Sequence, residues 1–122
     1  MNKKILGLNE CAKDCHKAAV TGGWWHDSQG NKKERNIGEL LCLIHSEISE
    51  AMEGARKGLM DNHLQHKSMM EVELADAIIR IFDLAGSKGF NLGQTIYEKL
   101  EYNKSREDHK IKNRFKEGGK KF

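Results

Sequence analysis

Proline is missing altogether from the 122 residues, where an average composition near 5% would supply about six. Pro-rich linkers, polyproline recognition segments and collagen-like repeats are thereby excluded, and long helices are left unbroken. Long apolar runs are missing as well. The most apolar stretch, residues 75–84, is interrupted by Asp76, Arg80 and Asp83, far short of the ~18 uninterrupted apolar residues of a membrane span. Behind Lys3 and Lys4 only Ile5 to Leu8 precedes Glu10, too little for a signal-peptide core, so a cytoplasmic location is expected. Cysteine is scarce and odd in number, with Cys11, Cys15 and Cys42, which favours reduced thiols over a disulfide framework. Internal repeats and low-complexity tracts are absent.

What remains is a charged chain, 32% Asp, Glu, Lys and Arg against an ordinary share of about 25%, of a length that suits a single domain over 1–122. Its net charge of +3 is uneven: six basic side chains against Glu117 alone put +5 into residues 110–122 and leave the first 109 at −2. A basic tail of this kind suits contact with nucleic acid or a phosphorylated ligand, although a solvated end is the commoner outcome.

Helix starts are legible wherever a short polar residue stands three positions before Glu or Gln, since each such pair can satisfy orphan amides. Asn36 with Glu39, Ser68 with Glu71 and Asn91 with Gln94 have this form. After Asn36, apolar residues recur at spacings of three and four from Ile37 to Ala55, and Gly58 is a natural stop. After Ser68 the chain is apolar over most of the helix circumference from Val72 to Ala85, with Gly86 or Gly89 to end it. An earlier helix is expected from about Asn9 to Val20, and a last one from Asn91 past Leu100. Four helices without a strand pattern predict an all-α antiparallel four-helix bundle. The stretch Thr21 to Arg35, with Gly22, Gly23, Trp24, Trp25 and Gly30, reads as a long loop, ordered for function or flexible.

Two acidic pairs stand out. On the second helix Glu47 and Glu50 lie at i, i+3 beside the apolar stripe; on the third, the narrow polar strip holds Glu73, Asp76, Arg80 and Asp83 and therefore needs a partner. If the two helices pack antiparallel, the four carboxylates converge and repel unless cations compensate them. Hard oxygen ligands without Cys or His select Mg2+, or Mn2+, over zinc. For Glu47 and Glu50 alone a solvated acidic pair is the plainer reading; Glu73 and Asp76 on an apolar helix tip the balance towards a divalent metal site.

Glu-x-x-Glu followed by Glu-x-x-Asp on a second helix resembles the MazG-like nucleoside triphosphate pyrophosphohydrolases. The run from His45 to Glu53 is similar to that family's first metal helix, Glu73 to Arg80 to its second, and Lys99-x-x-x-Asn103-Lys104-x-Arg106 to its closing motif, covering about residues 8–108. The resemblance implies an all-α bundle assembled as a homodimer or homotetramer. It also implies magnesium-dependent hydrolysis of an NTP or dNTP to the monophosphate and pyrophosphate, a metal-held water attacking the α-phosphorus. Glu47, Glu50, Glu73 and Asp76 would be metal ligands and catalytic groups. Lys99, Asn103 and Arg106 recur at i, i+4 and i+7 and would reach the triphosphate, or else form an ordinary solvated face; Lys104 points elsewhere. The family often continues past the Arg106 position with a proline, where this chain has Glu107 and Asp108.

Trp24 or Trp25 is placed to stack on a nucleobase, with core packing or a subunit contact equally open. His16 and His45 are weaker candidates for reading a base edge, and His63 and His66 with Asp61 read better as a polar loop than as a metal cluster. A di-iron bundle is disfavoured because no Glu-x-x-His occurs. The alternative outside enzymology is a helical adaptor that binds nucleic acid through the tail, its acids serving as structural partners of Arg56 and Arg80; the motifs make nucleic acid the less favoured partner.

Overall fold

The computed structural model describes residues 2–122, apart from the side chain of Glu107. The described residues are helical without a strand: α1 (Lys3–Thr21), α2 (Ile37–Lys57), α3 (Met69–Lys88), α4 (Leu92–Ser105), a 3-10 turn (Glu107–His109) and a short α5 (Ile111–Arg114). No helix among them is long and apolar enough to cross a membrane.

Local chemistry sets the helix ends. The side chains of Asn36, Ser68 and Asn91 accept hydrogen bonds from the amides of Glu39, Glu71 and Gln94 at 3.0, 3.1 and 3.1 Å, capping α2, α3 and α4. Gly58 and Gly89 close α2 and α3 in the left-handed region, at φ 62° and 67°, where a Cβ is costly. Gly86 does not end α3. It lies inside the helix because α1 passes against it: a Cβ there would stand 2.7 Å from the Cβ of His16 and 3.1 Å from the Ala12 carbonyl oxygen. The first helix begins earlier than Asn9, at Lys3, where the Asn2 side chain accepts the Lys4 amide at 2.8 Å.

The chain divides into two compact units, Glu10–Phe90 and the chain start up to Asn9 with Asn91–Phe122. In the larger unit α2 and α3 form the extensive helix–helix contact. They run antiparallel, because Gly54 meets Met69 at one end while Glu47 meets Arg80 further along. Their seam is made of small residues, with Ala51, Ala77 and Gly54 buried, so the two backbones approach closely; Leu40, Phe82 and Trp25 supply the bulk. One position past this seam on each helix comes a row of large apolar side chains with no cover: Leu41, Ile48 and Met52 on α2, Leu74, Ile78 and Ile81 on α3, each between 37% and 57% exposed. On antiparallel helices a step of about 100° from the seam turns both rows to the same face.

The link between α2 and α3 is closed by Asp61, which accepts the amides of His63 and Leu64 at 2.9 and 2.7 Å, and by a bridging pair of Met60 with Ser68. Asp61 is therefore committed to its own turn, in keeping with a polar loop there. In the smaller unit Asn9 ties the start of α1 to α4. It donates to Asn91 Oδ1 at 2.7 Å and accepts the Gly93 amide at 2.9 Å. The basic end of the chain folds back on itself: Asp108 accepts from Arg106 at 3.1 and 2.8 Å and pairs with Lys120 at 2.7 Å. Those two cations, Lys120 first, hold the Asp108 carboxyl well below the usual carboxylate range. Ile111, Phe115 and Phe122 remain exposed.

Candidate functional site

Burying Glu47 at the α2–α3 seam, with 8% of its surface exposed, would be expensive without partners. It has two kinds. Arg80, from the facing turn of α3, donates through Nε to Glu47 Oε1 at 3.0 Å. From the other side come acids: carboxylate oxygens of Glu47, Glu73 and Asp76 all lie within 4.8 Å of one another, and Glu50 is near enough to act on Glu73. Both i, i+3 pairs read from the sequence thus lie near one another, with Glu47 buried, Glu73 and Asp76 half-buried and Glu50 exposed at the rim.

Carboxylates this close must share protons or accept cations. The Glu73 carboxyl is pushed up to about 8, chiefly by its hydrogen bond to Glu47, then by burial, the bond to Glu50 and the repulsion of both. Asp76 is raised as well, mainly by burial and then by the charge of Glu47, with Arg80 pulling the other way. Glu73 Oε2 is buried and has no hydrogen-bond partner. A donor set of carboxylate oxygens only, one of them buried and unpartnered, fits a hard divalent cation, which would take the place of the shared proton.

A cavity of about 510 Å³ opens beside the cluster, between the second half of α1, α2, α3 and the 22–35 loop, within the range of about 300–1,000 Å³ usual for small-molecule pockets. Glu47 and Asp76 line one side, Trp24 and Arg35 another. The two tryptophans have different fates. Trp24 is 62% exposed and lines this cavity. Trp25 is buried, its Nε1 donating to Asp83 Oδ1 at 2.9 Å, its ring edge-on to His16 at 5.3 Å between centroids, and the Arg35 guanidinium 5.2 Å over its face. Asp83 Oδ1 also lies 2.8 Å from His16 Nδ1, which places the proton of a neutral imidazole on that nitrogen. Trp25 and His16 are therefore committed to packing, and Trp24 is the ring left open to a ligand. The polar strip of α3 has found its partners: Glu47 for Arg80, Trp25 and His16 for Asp83.

Lys99, Asn103 and Arg106 belong to the smaller unit. They do not form one helical face. The α4 helix stops at Ser105, where the extended backbone of Arg106 (φ −68°, ψ 132°) caps it, and the guanidinium forks onto Asp108. Lys99 Nζ stands 4.7 Å over the Tyr102 ring, and Asn103 Oδ1 is buried without a partner among the described residues. His45 and Arg56 are exposed.

Sequence reasoning did not single out Arg35 or Asp83 as site residues. Asp83 carried a signal, standing seven residues after Asp76 and so on the same helical face; Arg35 lies in irregular chain, where periodicity gives none. The fold and site together define an all-α protein with an acidic cluster at a helix seam beside a cavity. Set against models of known families, curated proteins and solved structures, the chain matches none.

Proposed function

We propose that this protein is a magnesium-dependent nucleoside triphosphate pyrophosphohydrolase of the MazG-like kind, built on an oligomeric four-helix antiparallel bundle. One observation carries the reading: Glu47, Glu73 and Asp76, which with Glu50 are spaced as in that family's motifs, bring carboxylate oxygens within 4.8 Å of one another from two antiparallel helices, with one Glu73 oxygen buried and unpartnered. Magnesium or manganese held by the four would acidify a water and offset charge on the departing pyrophosphate. The chain's own groups do the rest. Arg80 fixes the Glu47 carboxylate, and a carboxylate of the cluster receives the proton of the attacking water. Trp24, exposed on the cavity wall, offers a face to the nucleobase. Lys99, Asn103 and Arg106 take the phosphates on the strength of the motif alone, and Arg106 must first exchange Asp108 for phosphate oxygens.

The uncovered rows on α2 and α3 would supply the apolar face for a homodimer or homotetramer, since contiguous exposed apolar side chains are a mark of interaction sites. The test of the activity is a panel of NTPs and dNTPs incubated with protein and magnesium, with products resolved. Monophosphate with pyrophosphate, abolished by EDTA, is the expected result; diphosphate with orthophosphate, or inactivity with magnesium and manganese alike, would refute it.

A further inference from the structure

A second cavity, of about 600 Å³, lies on the far side of Trp25, between the end of α1, the 22–35 loop, the start of α2 and the end of α3. Its charge is the reverse of the first. Lys32, Lys33, Arg35 and Lys88 line it against the single carboxylate of Glu34, with His16 and His26 beside them. None of these four cations forms an ion pair among the described residues. Concentrating unpaired cations is unfavourable by itself, the more so as the remainder of a body at −2 overall has acids to spare.

The cations are held on ordered chain. Asp27 Oδ1 accepts the amides of Gln29 and Asn31, both at 2.9 Å, the Asp27 amide donates to the Asn31 carbonyl at 2.8 Å and the Lys33 amide to the Trp25 carbonyl at 3.0 Å. His26 and Lys32 pair across this small hairpin. Trp25, bonded to Asp83, pins the hairpin to α3. The cavity also receives Ile37, the first residue of α2, a helix of 21 residues. Asn36 caps the amides of Glu39 and Leu40 only, so those of Ile37 and Gly38 are left as donors at the positive end of the helix dipole. Cations spread around a concavity call for an anion with several charged groups, each able to take a charge-assisted hydrogen bond.

We propose that this cavity is a second binding site, independent of metal, for an oligophosphate, either free or as the tail of a nucleotide. Lys32, Lys33, Lys88 and the α2 amides hold the phosphates, and Arg35, stacked on Trp25, forms the wall shared with the acidic cavity. The inference does not depend on hydrolysis at the acidic cluster and survives its failure.

The full chain in EDTA, where the uncompensated acids repel polyanions from the first cavity, is titrated calorimetrically with pyrophosphate, tripolyphosphate and ATP. Saturable one-site binding is expected. It weakens at least about tenfold, or 1.4 kcal/mol, in Lys33→Glu with Lys88→Glu, and little in the tail control Lys112→Glu with Lys116→Glu. Equal affinity for tripolyphosphate and ATP assigns the site to the phosphate chain alone; tighter ATP adds a nucleoside contact. No heat at millimolar ligand overturns the proposal. So does equal weakening in the tail control, or unchanged binding in Lys33→Glu with Lys88→Glu and again in Lys32→Glu.

Discussion

Replacing Glu73 with glutamine should make the metal-free protein more stable at alkaline pH and flatten its pH dependence. The sign follows from the raised carboxyl. In the unfolded chain Glu73 releases its proton near the ordinary 4.5; folded, it keeps it to about 8. The folded state therefore binds more protons between those values, and stability falls as pH rises through that window. Holding the whole difference would amount to about 5 kcal/mol at about 1.4 kcal/mol per pH step. Water reaches the cluster at its rim through the exposed Glu50, so we expect about 2 kcal/mol after solvent screening. For a chain of this length that is a Tm change of roughly 6–10 °C. The substituted amide keeps the protonated acid's ability to donate and never ionises. The assay is thermal melting by circular dichroism in EDTA from pH 5.5 to 8.5, wild type against Glu73→Gln, because histidines and the carboxylates outside the cluster cancel in the difference. Wild type should lose ground steadily, the variant far less, and magnesium should raise only the wild type at pH 8. Parallel curves for the two proteins would refute the shared-proton account of the cluster.

Glu50→Gln and Asp76→Asn should each lose most activity in the nucleotide panel while melting no lower than wild type in EDTA, since each relieves like-charge repulsion; an apo Asp76→Asn several degrees less stable would recast Asp76 as a structural acceptor. Trp25→Phe should cost about 1–3 kcal/mol in urea titration by stripping Asp83 of its indole donor, whereas Trp24→Ala should stay within about 0.5 kcal/mol of wild type and instead raise KM. Ile48→Glu with Ile78→Glu should reduce the mass in light scattering from a dimer or larger to a monomer of 13.9 kDa; a wild type already monomeric and fully active would remove the oligomer from the proposal.

The parts of this structure that were legible beforehand are those written in local chemistry. Asn36, Ser68 and Asn91 carry their cap in the identity of one side chain, and the antiparallel meeting of Glu47 with Glu73 follows from helical spacing plus a short link. What escaped depends on contacts that helical periodicity does not record, most of them between distant segments. Gly86 looks like a stop until α1 is seen against it. Arg106 looks like the next step of a helical face until Asp108 draws its guanidinium away, and no spacing rule weighs a fork onto a carboxylate two residues on against one more helical turn. Trp24 and Trp25 are indistinguishable as neighbours in a Gly-rich loop; Asp83, on another helix, decides which one is buried.

The same distinction bears on whether the acids are merely structural. A structural ion pair needs one carboxylate and one cation, and Glu47 with Arg80 already satisfies that need. Glu50, Glu73 and Asp76 are then surplus. Counting Arg80 and the proton held by Glu73 against four carboxylates leaves two negative charges uncompensated beside an open cavity. Packing alone would favour apolar or amide side chains at Glu73 and Asp76, on a helix otherwise rich in Leu, Ile and Ala, because an isosteric neutral group avoids both desolvation and repulsion. A surplus of two negative charges, three once a cation displaces the Glu73 proton, in a donor set with no nitrogen or sulfur, is an imbalance that a hard divalent cation would relieve. It is on that balance, rather than on the presence of acids, that the metal-dependent reading is preferred to the salt-bridged adaptor.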